Sequence, residues 1–328
     1  MKTFYIDGIN KQCSAIGMGT MIFGLDTKER DFKLLDAFIE NGGTYIDTAE
    51  VYGVPEEHGY SETVIGEWLN NNKDIREKII LCSKGLITGY CAPLHGEGGA
   101  KITPEYIKSA ITGSLERLQT DYLDIWMFHR DDTSKSVNEL MDALHDEVTQ
   151  GRIKAFGASN WSIERIQEAN QYAESKGQAK MIASSPQFSL AIAKEPFWPE
   201  TESMDLEKRK WFIDNKFPLM AWSSLGRGFF TRADRNDLSD ADLVRTYYND
   251  DNFERKERAE LLAKAKGLTM FEVALAYIIN QPFPVIALNG AESPEQIVSS
   301  SLASDIVLSE EECDWLDLTS NSIPKSVI

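Results

Sequence analysis

The run Asp124-Ile125-Trp126-Met127-Phe128-His129, the amphipathic stretch Val137–Gln150 and the run Ile153-Lys154-Ala155-Phe156-Gly157-Ala158-Ser159 follow closely on one another. They read as strand, helix and strand, the rhythm of a parallel βα unit. The same rhythm extends both ways along the chain. Upstream strand candidates are Ala15–Gly19, Thr44–Asp47 and Ile79–Ser83; downstream ones are Met181–Ser185, Pro218–Trp222 and Pro284–Ala287, eight in all. Helix candidates Arg30–Asn41, Ser61–Asn71, Pro104–Leu118, Ile163–Lys176, Leu206–Asn215, Glu254–Ala265 and Pro294–Leu302 alternate with them, and a last one follows Ser309. A hairpin turning at Asp7-Gly8 precedes the series.

Several helix ends carry physical signals. Thr103 stands before Pro104, whose fixed ring suits a first helical position. Ser309-Glu310-Glu311-Glu312 offers a hydroxyl cap and an acidic first turn to the helix dipole. Gln150-Gly151 and Lys176-Gly177 supply the glycine that closes a last turn.

Eight βα units in 328 residues, with no linker or low-complexity tract between them, predict one closed (β/α)8 TIM barrel with an N-terminal β-hairpin and extended βα loops, spanning residues 1–328. A doubly wound sheet would open on a G-x-G-x-x-G turn running into a helix. Ala15-Ile16-Gly17-Met18-Gly19-Thr20 lacks the third glycine and has no helix directly behind it.

Composition narrows the partners. Lys+Arg 34 against Asp+Glu 52 gives a net charge of -18, a field that repels phosphate backbones and anionic lipid surfaces, so nucleic-acid and membrane partners are not expected. No apolar run is long enough to cross a bilayer, and the N-terminus has no secretory h-region. Cys13, Cys82, Cys91 and Cys313 show no C-x-x-C spacing, which fits a reducing, cytoplasmic setting with Cys82 as an apolar strand residue. His58, His95, His129 and His145 do not pair with other ligands at metal spacing, so no metal is expected.

In a barrel, reactive side chains sit where strands end at the C-terminal mouth. The second strand ends at Asp47 and runs into Thr48-Ala49-Glu50-Val51-Tyr52-Gly53; the third ends Ser83-Lys84-Gly85; the fourth ends Phe128-His129. An acid, a tyrosine, a lysine and a histidine on neighbouring ends make a proton-donor device. A tyrosine with a pKa near 10 is a poor acid at neutral pH. An adjacent ammonium stabilises its phenolate and brings that pKa down. Asp47 would hold Lys84 charged, and neutral His129 would orient a carbonyl oxygen while Tyr52 protonates it. Such a device needs a hydride source, which implies a nicotinamide.

These residues, in D-T-A-x-x-Y-G, S-K-G, F-H-R-D and Gly157-Ala158-Ser159-Asn160, resemble the aldo-keto reductase family over essentially the whole chain. The resemblance implies a soluble NAD(P)(H)-dependent barrel oxidoreductase with Asp47, Tyr52, Lys84 and His129 as its catalytic tetrad. It assigns the nicotinamide carboxamide to Ser159, Asn160 and Gln187, the ring face to Trp222, and backbone contacts to Thr20 and Met21. In Ser223-Ser224-Leu225-Gly226-Arg227-Gly228, small residues would admit a pyrophosphate with Arg227 as its cation. Around the adenosine the chain departs from the pattern. Gly290 leads into a stretch where Gln296 replaces an expected arginine, Glu292 would oppose a 2′-phosphate, and Ser299-Ser300 stands for the Glu-Asn pair that reads adenine. NADP(H) is favoured on the resemblance, with NAD open.

Phe23, Trp161, Phe188 and Trp198 are candidates for an aromatic substrate wall. Arg130, Asp131 and Asp132 either bond a polyol or salt-bridge the rim. The resulting expectation is an enzyme that reduces an aldehyde, ketone or aldose. Two alternatives remain open: a nucleotide-binding regulatory subunit with the same fold, and a Schiff-base enzyme using Lys84. The oligomeric state is left open.

Overall fold

The computed structural model describes residues 1–53 and 58–328. Two short strands, β1 (Thr3–Tyr5) and β2 (Gln12–Ser14), pair antiparallel around the Asp7-Gly8 turn as the expected hairpin. Eight parallel strands then close on themselves: β3 (Ile16–Gly19), β4 (Tyr45–Asp47), β5 (Ile80–Gly85), β6 (Leu123–Phe128), β7 (Ile153–Ser159), β8 (Met181–Ser185), β9 (Leu219–Ala221) and β10 (Val285–Asn289). The last strand pairs with the first, Ala287 opposite Ile16, which completes the (β/α)8 barrel.

Helices α1 (Lys28–Glu40), α2 (Tyr60–Asn71), α4 (Pro104–Leu118), α5 (Val137–Thr149), α6 (Ile163–Lys176) and α7 (Leu206–Asn215) connect consecutive strands, with the one-turn α3 (Ala92–His95) inserted after β5. Between β9 and β10 the chain makes α8 (Phe229–Arg232), α9 (Ala241–Tyr247), α10 (Asp250–Lys266) and α11 (Met270–Ile279); α12 (Pro294–Ala303) and α13 (Glu310–Leu316) follow β10. The sequence reading placed α10 but not α11 (Met270–Ile279), which after Glu272 in its first turn runs Val273-Ala274-Leu275-Ala276-Tyr277-Ile278-Ile279 with no charged residue. Residues Val273–Ile279 are all buried, so no polar face betrays a helical period. Its start is marked, because Thr269 and Glu272 form a reciprocal capping box. A second capping box, Ser309 with Glu312, starts α13 where the acidic turn predicted it.

Two apolar layers result. Side chains alternate faces along a strand, so Tyr45, Ile80, Cys82, Ile125, Met127, Ala155 and Met220 fill the barrel interior. Ile46, Leu81, Trp126 and Phe128 face outward against the helices. Ile6, Ile9 and Cys13 of the hairpin join the interior set and stopper one end of the barrel. Close backbone approach demands glycine on β7: a Cβ on Gly157 would lie 2.4 Å from the carbonyl oxygen of Ala183.

All four cysteines are buried and unpaired. Burial pushes the Cys82 thiol up to about 12, in keeping with an inert interior residue. Among the described residues, no helix is long and apolar enough to cross a membrane, and no cluster of three or more His, Cys, Asp or Glu side chains could hold a metal.

Candidate active site

The strand alternation that fills the interior also decides which side chains emerge at its mouth. On β4 the inward track runs Tyr45, Asp47; on β5 it runs Ile80, Cys82, Lys84; past the end of β6 it runs Ile125, Met127, His129. Each track ends in one ionisable group. Asp47 is 3%, Lys84 1% and His129 7% exposed, and Tyr52, on the turn after β4, is half-buried beside them.

Lys84 Nζ donates to Asp47 Oδ2 at 2.7 Å and to the carbonyl oxygen of Thr48 at 2.9 Å, and it lies 3.5 Å from the Tyr52 hydroxyl. The His129 ring stands edge-on to Tyr52, with centroids 5.6 Å apart. The structure thus brings together the four residues expected to act as a unit.

Electrostatics assign their charge states. Burial opposes the charge on Lys84, but Asp47, Tyr52 and Cys82 together outweigh it and hold the pKa above the ordinary lysine range. Burial pushes the Asp47 carboxyl up while Lys84 pulls against it. For His129, burial first, then Lys84 and Arg130, hold the ring well below the ordinary histidine value, so it is neutral at pH 7. Tyr52 departs from expectation. Burial raises its phenol above the ordinary value; Lys84 pulls downward, Asp47 adds to the rise, and the net direction is up. Lys84 therefore limits the rise that desolvation causes rather than bringing Tyr52 below 10.

A hydroxyl web under the turn escaped the sequence reading. Thr20 Oγ1 donates to the Asp47 carbonyl at 2.9 Å, and Ser61 Oγ lies 2.7 Å from Thr20 Oγ1 and 2.9 Å from Thr48 Oγ1. It fastens β3, the Tyr52 turn and α2 together. Glu50 was missed as well. Its carboxylate, 1% exposed, accepts from Leu86 N at 2.6 Å and meets His95 Nε2 at 2.9 Å. A cavity of about 440 Å³ beside α4 is lined by Glu50, His95, Lys108, Glu116 and Arg117, and neither Tyr52 nor His129 lines it.

The residues assigned to the cofactor ring the same mouth. Ser159 donates to the Ser185 carbonyl at 2.8 Å; Asn160, at a left-handed φ of 61°, donates to Ser159 Oγ and to the His129 carbonyl and accepts from Glu202 N. Gln187 donates to Ser189 Oγ at 3.0 Å. These amides are already engaged with the protein. Trp222 is half-buried with its Nε1 unpartnered, as is Asp47 Oδ1, among the described residues. Thr20 is buried and Met21 exposed. Ser223 and Arg227 adopt left-handed backbone, Leu225 is half-buried, and the Arg227 guanidinium lies 4.3 Å from the Phe197 ring centroid and 5.2 Å from that of Trp198.

At the far side, Gly290 and Gln296 are exposed, and Gln296 Oε1 accepts from Glu292 N at 2.9 Å. Ser300 is 2% exposed, accepts from Asn289 Nδ2 at 2.7 Å and donates to the Gln296 carbonyl at 2.9 Å, so its hydroxyl is engaged within the protein, as are the Ser159 hydroxyl and the Gln187 amide. The aromatic wall is corrected. Phe23 and Phe188 are core residues, and Trp161 is 2% exposed and stacked on Phe128 with centroids 5.0 Å apart. Trp198 alone of the four is half-buried, 5.6 Å from Trp222. Of the acids beside His129, Asp131 salt-bridges Arg165 at 3.3 Å.

The sequence profile of the aldo/keto reductase family matches residues 15–320. Over 319 residues the chain is 26% identical to an uncharacterized oxidoreductase, YrpG, of Bacillus subtilis (strain 168), with 95% of this chain and 93% of that protein covered. It is 28% identical over 324 residues to the aryl-alcohol dehydrogenase (NADP+) of Phanerodontia chrysosporium, covering 92% of this chain and 78% of that one. A crystal structure of an aldo-keto reductase from Klebsiella pneumoniae in complex with NADPH superposes with a TM-score of 0.69 at 27% identity, covering 94% of this chain and 91% of the other. The barrel, the residues gathered at its mouth and the reach of the family profile agree: this chain belongs to the aldo/keto reductase family.

Proposed function

We propose that the protein reduces the carbonyl of an aldehyde, ketone or aldose with a nicotinamide dinucleotide, NADP(H) being favoured over NAD(H). The observation that carries this reading is the half-buried Tyr52 hydroxyl 3.5 Å from Lys84 Nζ, which Asp47 holds from 2.7 Å, with neutral His129 alongside. Residues 1–328 act as one catalytic domain, because the closed barrel draws its mouth from β3 through β10.

The nicotinamide, when bound, supplies the hydride. Tyr52 holds the proton that the carbonyl oxygen receives, and a phenol with a raised pKa keeps that proton through neutral pH. His129, uncharged, hydrogen-bonds the same oxygen and fixes its direction. Lys84 stabilises the phenolate left behind.

The mouth offers what such a cofactor needs. Asp47 Oδ1 and Trp222 Nε1 are unpartnered polar atoms there, and Arg227 has no carboxylate within 4.0 Å among the described residues. Ser159, Asn160 and Gln187 would hold the carboxamide, Trp222 the ring, Thr20, Met21, Ser223, Leu225 and Arg227 the middle, and Gly290 and Gln296 the adenosine end. The NADPH in the Klebsiella structure and the NADP+ in the name of the Phanerodontia enzyme support the choice of cofactor. Oxidation of NADPH by purified protein with 4-nitrobenzaldehyde tests the reading; absence of turnover with every carbonyl tried, despite nucleotide binding, would favour a regulatory subunit.

A further inference from the structure

Ten of the thirteen arginines lie within 4.0 Å of a carboxylate, as a chain with 52 acidic residues allows. Among the described residues the exceptions are Arg130, Arg227 and Arg255. Arg255 is buried against the C-terminal segment, where it bonds Asn252 Oδ1 and the Asp317 carbonyl. Arg227 stacks on aromatic rings. Arg130 follows His129 directly and is half-buried, and the only hydrogen bond of its side chain among the described residues runs from Nη1 to the His129 carbonyl at 2.9 Å.

Among the described residues no nearby carboxylate comes within 4.0 Å of the Arg130 guanidinium. Asp131 pairs with Arg165, and Asp132 Oδ1 accepts from Ser134 N and Oγ. Glu200 is exposed and lies beyond 4.0 Å. Trp161 Nε1 donates to the Arg130 carbonyl at 3.1 Å, and Asn160 Nδ2 to the His129 carbonyl at 3.1 Å, so the backbone that carries Arg130 is held from both sides. Among the described residues the Arg130 guanidinium thus keeps unused donors, on a backbone held beside His129.

We propose that Arg130 is a specificity-determining residue that recognises a carboxylate on the carbonyl substrate, so that the preferred substrates are anionic aldehydes or ketones. This rests on the reductase reading of the site and adds the substrate's charge class to it. A guanidinium presents a planar fork that a carboxylate meets with two parallel hydrogen bonds. The requirement is sharp in this protein, because a net charge of -18 repels an anion at long range and a local cation must reverse that at the mouth. Burial is the main influence on Arg130 and lowers its pKa; a bound carboxylate relieves that unfavourable charge.

The test compares 4-carboxybenzaldehyde with its neutral methyl ester, and succinate semialdehyde with butanal, in wild type, Arg130→Gln and Arg130→Lys. The expected result is a wild-type preference in kcat/KM for the charged member of each pair, falling about ten- to a hundredfold in Arg130→Gln through KM, the range of a charge-assisted hydrogen bond. Arg130→Lys should restore part of it, since it keeps the charge but not the fork. Benzoate, which cannot be reduced, should quench tryptophan fluorescence on binding and bind correspondingly more weakly to Arg130→Gln. Equal kcat/KM for charged and neutral partners in wild type, or a ratio unmoved by Arg130→Gln, overturns the proposal. Arg130-dependent benzoate binding without turnover of either aldehyde supports the anion site and overturns the reductase reading instead.

Discussion

His95 Nε2 lies 2.9 Å from Glu50 Oε2, and this contact ties the turn that bears Tyr52 to the loop that follows Lys84. The other carboxylate oxygen of Glu50 takes the Leu86 amide at 2.6 Å, where the backbone bends through a left-handed φ of 68°. Glu50→Ala leaves two buried groups without partners, at about 1–3 kcal/mol each. The expected outcome is a lower Tm and a reduced kcat, with Glu50→Gln recovering most of both because an amide can meet the same two groups. His95→Ala frees only the loop, so KM should rise more than kcat falls. A wild-type melting curve for Glu50→Ala would show that the carboxylate fastens nothing.

Tyr52→Phe keeps the ring and removes the proton. Turnover should fall at least about a hundredfold, the lower end for general acid catalysis, while the dissociation constant for NADPH stays put. Single-turnover kinetics together with a nucleotide titration check both halves. Near-normal turnover would take Tyr52 out of the reaction.

Lys84→Met addresses the pH profile. Reduction needs protonated Tyr52, so activity is present at low pH and lost as pH rises through the phenol's pKa. Lys84 pulls that pKa down against burial. Its removal therefore moves the alkaline limb to higher pH, while kcat drops for want of phenolate stabilisation. His129, held neutral by burial, Lys84 and Arg130, should add no ionisation near its ordinary value. An unshifted alkaline limb in the variant would mean that Lys84 does not tune Tyr52.

Gln296→Arg probes the adenosine end. Gln296 is exposed and its side-chain oxygen caps the Glu292 amide, so it offers a 2′-phosphate no charge. An arginine there presents a charged fork and should raise the preference for NADP over NAD, less so at high salt. Fluorescence titration of both nucleotides reads the ratio. No change would mean that residue 296 does not face the 2′ position.

Gly66 sits in α2 where α4 crosses it, and an added Cβ would fall 2.1 Å from the Arg117 carbonyl oxygen and 2.8 Å from the Leu118 carbonyl carbon. Neither backbone atom can step aside cheaply. Gly66→Ala should cost about 1–3 kcal/mol in spite of alanine's better helix propensity. Denaturant melts decide between that loss and the gain propensity alone would bring.

Where runs made largely of apolar and small residues were short and closed on a serine, strand bounds could be read directly: Ile153–Ser159 and Met181–Ser185 recur unchanged as β7 and β8. Proline and glycine did the same for α4 and α6. Asp47, Lys84 and His129 stood out because each breaks an apolar track. Glu50 and His95 did not, being polar residues of two separate loops that only the fold unites. The hydroxyls of Thr20, Thr48 and Ser61 carry no pattern at all. Phe23 and Trp161 misled because an aromatic ring near polar neighbours looks the same in sequence whether it faces a ligand or the core.

The hairpin that stoppers the barrel also bears on how the chain folds. Ile6, Ile9 and Cys13 belong to the same interior cluster as Ile286 and Leu288 of β10, and Lys2 N bonds Ser304 Oγ from 302 residues away in sequence. The hairpin thus has no complete seat until β10 has arrived. Such far-separated partners must be brought together at the cost of closing a very long loop, which makes for slow folding. Docking of the hairpin should be a late event, and Tyr5, 66% exposed on its outer face, is a natural place for a reporter of it.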